Sequence, residues 1–155
     1  MMREQENLRR RNAATPPPTY GRTLVATAPD PYALLRNLID AWSVIASWGR
    51  WSDDDLGDWR PAAEMVAQLP EPLRARWQER PAEEVESWLD DLNERGWAWW
   101  SSTVDDGFVK IDLDADSLPA SLWSLSRIIE MLGGSVRHQG DWLDLAAARQ
   151  RAHAP

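Results

Sequence analysis

The chain has 155 residues, the length of one ordinary domain, and its 43% apolar and 27% charged side chains mark a globular rather than a disordered composition. The absence of cysteine excludes disulfides, thiolate metal centres and thiol catalysis, and no run approaches the roughly 20 apolar residues of a membrane-spanning helix. The net charge of −8 divides into +3 over residues 1–22 (five Arg, two Glu) and −11 over the remainder (12 basic, 23 acidic). Such a body repels phosphate backbones and anionic lipid and attracts basic partners, so neither nucleic acid nor membrane is an expected ligand.

Residues 1–22 read as a disordered arm. MMREQENLRRRNAATPPP has no apolar stretch and is no secretory signal, which makes the cytoplasm the expected location. Arg9, Arg10 and Arg11 form a basic run, and Pro16, Pro17 and Pro18 favour polyproline II. Pro17-Pro18-Thr19-Tyr20 matches the PPxY pattern bound by WW domains, but a plain linker is the preferred reading. Thr23–Ala28 is a short candidate strand, the start of a single domain over 23–145 that ends in a polar tail over 146–155.

Asp30-Pro31 is a helix start, with the Asp oxygen as N-cap and Pro at the first helical position. Leu34, Leu35, Leu38, Ile39, Trp42 and Ile45 then give one apolar face as far as Trp48. An acidic segment follows, Trp51-Ser52-Asp53-Asp54-Asp55-Leu56-Gly57-Asp58-Trp59, bracketed by indoles. Short helices are expected over Pro61–Leu69 and Pro72–Glu79. A stronger one opens at Pro81, with Val85, Trp88, Leu89 and Leu92 inside and Glu83, Glu86, Asp90 and Glu94 outside; Gly96 stops it.

From Trp97 the period changes to two. Trp97–Val104 and Phe108–Leu113 flank Asp105-Asp106-Gly107, a hairpin signal, and Val109, Ile111 and Leu113 alternate with Phe108, Lys110 and Asp112 as in a strand with one buried face. Asp116 or Ser117 is the expected cap of a last helix whose core stripe is Leu122, Leu125, Ile128, Ile129 and Leu132. Gly133-Gly134 ends it, and Ser135–His138 returns as a strand. The expected fold class is α+β: a helical N-terminal half packed with a small antiparallel sheet, in β-β-α-β order in the C-terminal half.

Candidate chemistry is sparse. Asp112, Asp114 and Asp116 recur at period two and could hold Mg²⁺ or Ca²⁺, which would suit a metal-dependent enzyme. The spacing fails the EF-hand pattern, however, because Ser117 replaces the turn glycine and Trp123 the bidentate Glu. VKIDLDADSL is similar to the haloacid-dehalogenase nucleophile motif, but Asp116 stands where Thr or Val belongs. A solvated strand accounts for the three carboxylates, and no metal or cofactor is expected. With His138 and His153 the only histidines and no nucleophile, phosphate-loop or HExxH motif, no catalytic residue is assigned and a non-enzymatic role is expected.

The 11 Trp against one Phe and two Tyr suit cores and interface anchors alike. Trp97 and Trp99 share a strand face and Trp100 opposes them, leaving core and interface both open. Trp51, Asp53, Asp54, Asp55, Asp58 and Trp59, supported by Glu83, Glu86, Asp90 and Glu94, are a candidate docking site for a basic protein, with apolar anchors beside the acidic run. The alternative for Asp53, Asp54, Asp55 and Asp58 is a solvated loop whose carboxylates cap a helix N-terminus. The β-β-α unit from Trp97 to Gly134, with the strand FVKIDLDA and the helix LPASLWSLSRIIEMLGG, resembles small acidic bacterial immunity proteins of toxin–immunity pairs over about a quarter of the chain. That resemblance implies a cytoplasmic inhibitor of a basic toxin domain. The rival is a structural or assembly subunit whose indoles bury into a homo-oligomer or a larger complex.

Overall fold

In the computed structural model, residues 2–11, 17–47, 66–116 and 120–142 are described. The elements run α1 (Met2–Asn7), β1 (Tyr20–Thr27), α2 (Pro31–Ser47), α3 (Glu71–Gln78), α4 (Ala82–Asn93), β2 (Trp97–Asp105), β3 (Phe108–Ala115), α5 (Trp123–Met131) and β4 (Ser135–Asp141). The architecture is mixed α+β, with one four-stranded antiparallel sheet in the order β2-β3-β1-β4. The strand nearest the N-terminus therefore lies between two strands of the C-terminal half, so the sheet is not a C-terminal unit to which helices are added.

Local signals place several elements as expected. The Asp30 carboxylate accepts the Ala33 N–H at 3.1 Å, and the Asp30 carbonyl the Leu34 N–H at 3.0 Å, which fixes the start of α2. Leu34, Leu35, Leu38, Trp42 and Ile45 are buried and Ile39 is partly so. The hairpin turns at Asp106 (φ 50°) and Gly107 (φ 82°), positive at both central positions as a type I′ turn requires. Val109, Ile111 and Leu113 are fully buried, together with Leu125, Ile128 and Ile129 of α5, and α2 packs across β2 and β3. Of the helix expected over Pro61–Leu69, only 66–69 fall within the described residues.

Four expectations need correction. First, residues 2–11 are not a free arm. α1 lays the Glu4 carboxylate against Trp42 Nε1 (2.5 Å) and Arg95 Nη2 (3.3 Å), Asn7 Nδ2 donates to the Trp99 carbonyl at 2.9 Å, and Leu8 is buried. Long-range polar partners order a segment whose own apolar content is too small to do so. Second, PPxY is built into the fold. Pro17 is buried, the Thr19 N–H donates to Asp114 Oδ1 at 3.1 Å, and Tyr20 opens β1, which starts three residues before the expected strand.

Third, β3 is buried on both faces. Phe108, Lys110 and Asp112 are nearly as enclosed as the residues between them. Asp112 is no solvated carboxylate: it accepts from Thr23 Oγ1 (2.9 Å), Ser101 Oγ (3.2 Å) and Lys110 Nζ (2.8 Å). Trp142 closes on the same face, where a Cβ at Gly21 would lie 2.7 Å from the Trp142 Cβ, so that position needs glycine. Fourth, α5 begins at Trp123, well after Asp116, and its N-cap residue Leu122 makes no side-chain capping bond; Ser117, the other expected cap, lies outside the described residues. The Asp91 carboxylate of α4 supplies a cap across the helix pair, accepting the Ser124 N–H at 2.9 Å and the Ser121 hydroxyl at 2.6 Å.

The indoles divide by face. Trp97 and Trp99 are buried on the helical side, where Trp42 stacks on Trp97 with centroids 5.2 Å apart. A register shift between Trp99 and Ser101 makes Trp100 the extra residue of a bulge, with the Arg10 guanidinium 3.9 Å from its ring centre.

Candidate functional site

Helix α4 presents the described part of the expected docking surface. Its inner side is spent on packing. Trp88, Leu89 and Leu92 are buried, Trp88 Nε1 donates to the Ser124 carbonyl at 2.8 Å, and Trp77 meets Trp88 edge-on at 4.7 Å. The flank facing α5 is also committed. Asp91 caps α5, and Glu84 accepts from Arg127 Nε at 3.0 Å while lying 3.7 Å from Arg80 Nη1. Hydrogen bonds to Glu84 and then Glu130 raise the Arg127 pKa above its ordinary value, so that cation is tied to this seam.

On the outer side, the helical period brings Glu83, Glu86, Asp90 and Glu94 into one exposed stripe. Among the described residues, no ion pair engages Glu83, Glu86 or Glu94. The carboxylates that maintain the fold and those that face outward are thus different side chains of one helix. Trp51, Asp53, Asp54, Asp55, Asp58 and Trp59 lie outside the described residues.

One residue beside this surface escaped the sequence reading. Trp123 is 41% exposed at the start of α5, and its N–H donates to Ser121 Oγ (3.4 Å), which itself donates to Asp91. A large exposed indole beside the helix that carries Glu83, Glu86 and Glu94, for which no ion pair is found among the described residues, combines an apolar anchor with a charged rim. The available signal was its place off the Leu122–Leu125–Ile128–Ile129 stripe.

The Asp112–Asp114–Asp116 series does not converge. Asp112 is consumed by its three donors, Asp114 accepts from Thr19, and exposed Asp116 follows the end of β3. Among the described residues, no three His, Cys, Asp or Glu side chains are grouped to hold a metal ion, and no helix is long and apolar enough to cross a membrane. Comparison with protein-family models, with curated proteins and with solved structures finds no match.

Proposed function

We propose that this chain is a non-enzymatic acidic binding protein that docks a basic protein domain on the outer face of α4, as an immunity- or antitoxin-type inhibitor would. The observation that carries the reading is the division of labour along α4. Glu84 and Asp91 hold α5, while Glu83, Glu86 and Glu94 stand exposed without an ion pair among the described residues. Carboxylates in that state attract a cationic surface at long range, and Trp123 supplies the apolar contact that holds it.

Affinity capture with the full chain, followed by surface plasmon resonance on the captured protein at two salt concentrations, tests this. The triple change Glu83→Gln, Glu86→Gln and Glu94→Gln should slow association and flatten its salt dependence, because rim charges steer encounter. Trp123→Ala should chiefly speed dissociation, with a loss on the order of 30-fold in affinity for an anchor contributing about 2 kcal/mol. Binding unchanged in both variants sinks the assignment to α4.

A further inference from the structure

The two edges of the sheet are protected by different means. β4 carries Arg137 and Asp141 and a register shift opposite Val25 and Ala26, features that discourage the addition of another strand. β2 reads WAWWSSTV from Trp97 to Val104, with no charge, no proline and high strand propensity. Its bulge ends at Ser101, and Ser101–Asp105 pairs regularly with β3. An uncharged, aromatic edge of this kind is a template for pairing unless something covers it.

Residues 7–11 cover it. The two-residue turn makes Asp105 and Phe108 the closing hydrogen-bonded pair, so Thr103 and Ser101 direct their backbone groups to β3 while Val104 and Ser102 direct theirs outward. The outward Ser102 N–H donates to the Arg10 carbonyl at 3.2 Å, Arg11 forms a parallel bridge with Ser102, and Asn7 satisfies the Trp99 carbonyl. The seam is imperfect. Asn7 Oδ1 and Arg10 Nη1 of the segment and Trp100 Nε1 of β2, over which Arg10 lies, are buried without a hydrogen-bond partner among the described residues. α1 has six residues, too few to persist as a helix by itself. A segment held in this way opens at lower free energy than the sheet behind it.

We propose that residues 2–11 are a releasable guard on the β2 edge, and that the uncovered edge pairs antiparallel with the β2 edge of a second copy of the chain. The occupant follows from the strand itself. Identical uncharged edges meet without like-charge repulsion along Ser101–Val104, beyond the bulge, and antiparallel pairing about a two-fold axis closes at a dimer. This stands independently of the docking of a basic partner on α4.

The test uses the full chain with Leu8→Asp, which cannot keep its charge in the buried site and so drives the guard off without altering the sheet. By hydrogen exchange in dilute solution, the Ser102 amide should lose its protection while β3 keeps its own. By light scattering, the mass should double with rising concentration while the wild type stays monomeric. Adding Val104→Pro removes an outward donor without touching the β3 pairing and should restore the monomer. A variant that exposes Ser102 yet remains monomeric, a dimer indifferent to Val104→Pro, or β3 opening together with Ser102 each overturns the proposal. Should Leu8→Asp fail to fold, Asn7→Ala, which removes only the bond to Trp99, carries the same comparison. Faster exchange confined to β2 supports the guard, and unchanged or uniform exchange refutes it.

Discussion

Asp112→Asn removes one charge from a buried pair and keeps the shape of the side chain. Lys110 Nζ sits 2.8 Å from Asp112 Oδ2, and the two side chains are only 7% and 4% exposed. Neutralising the carboxylate leaves the ammonium enclosed without its counter-charge, a change that typically costs about 3–5 kcal/mol. Asn retains one acceptor oxygen for the Thr23 or Ser101 hydroxyl, which favours the lower end, about 3 kcal/mol. In a domain of this size each kcal/mol moves the melting temperature by roughly 2–4 °C, so the midpoint should fall by about 6–12 °C. Lys110→Met should cost a similar amount, because it strands the carboxylate instead. The double variant Lys110→Met, Asp112→Asn buries no charge and should lose only about 1–2 kcal/mol, far less than the sum of the two singles. Urea unfolding followed by circular dichroism, with the slope unchanged across the set, measures all three. If Asp112→Asn lies within about 0.5 kcal/mol of wild type, the value of an ordinary surface change, the pair is solvated and the reasoning is wrong.

The remaining expectations concern the other contacts that set the fold. Asp91→Ala withdraws the cap that α4 lends to α5 and should cost about 1–2 kcal/mol by the same assay, whereas Asp91→Asn, still able to accept the Ser124 N–H, should lose less than half of that. Ile111→Asp and Leu125→Asp place a charge at fully buried positions and should leave no cooperative transition; Asp114→Asn, which bears one exposed contact, should stay within about 0.5 kcal/mol of wild type. A folded Ile111→Asp protein would refute the burial of Ile111 between the sheet and the helices. Gly107→Ala puts a side chain at φ 82° and should destabilise by about 1 kcal/mol, read from the thermal midpoint.

The elements that the amino-acid order determined by itself are those whose causes lie within a few residues. Asp30 caps α2 from the adjacent position, Asp106-Gly107 supplies both positive φ angles of its turn, and the period-two run Val109–Ile111–Leu113 selects one face of β3. The outer stripe Glu83, Glu86, Asp90 and Glu94 was legible for the same reason, because the helical period alone puts those residues on one side. Even the pairing of Lys110 with Asp112 is local, two residues apart on one strand face.

Its burial is not local, because burial depends on what covers the face. Tertiary structure alone decided that β1 enters the middle of the sheet, that Glu4 reaches Trp42 and Arg95, and that Trp123 stands beside α4. It also decided that α5 takes its cap from Asp91, 33 residues away from the amide it satisfies. The Glu4 carboxylate and the Ser124 amide are each satisfied by a partner remote in sequence. A short polar segment such as residues 2–11 reads as disordered by composition, because the contacts that offset its ordering entropy are contributed by other elements.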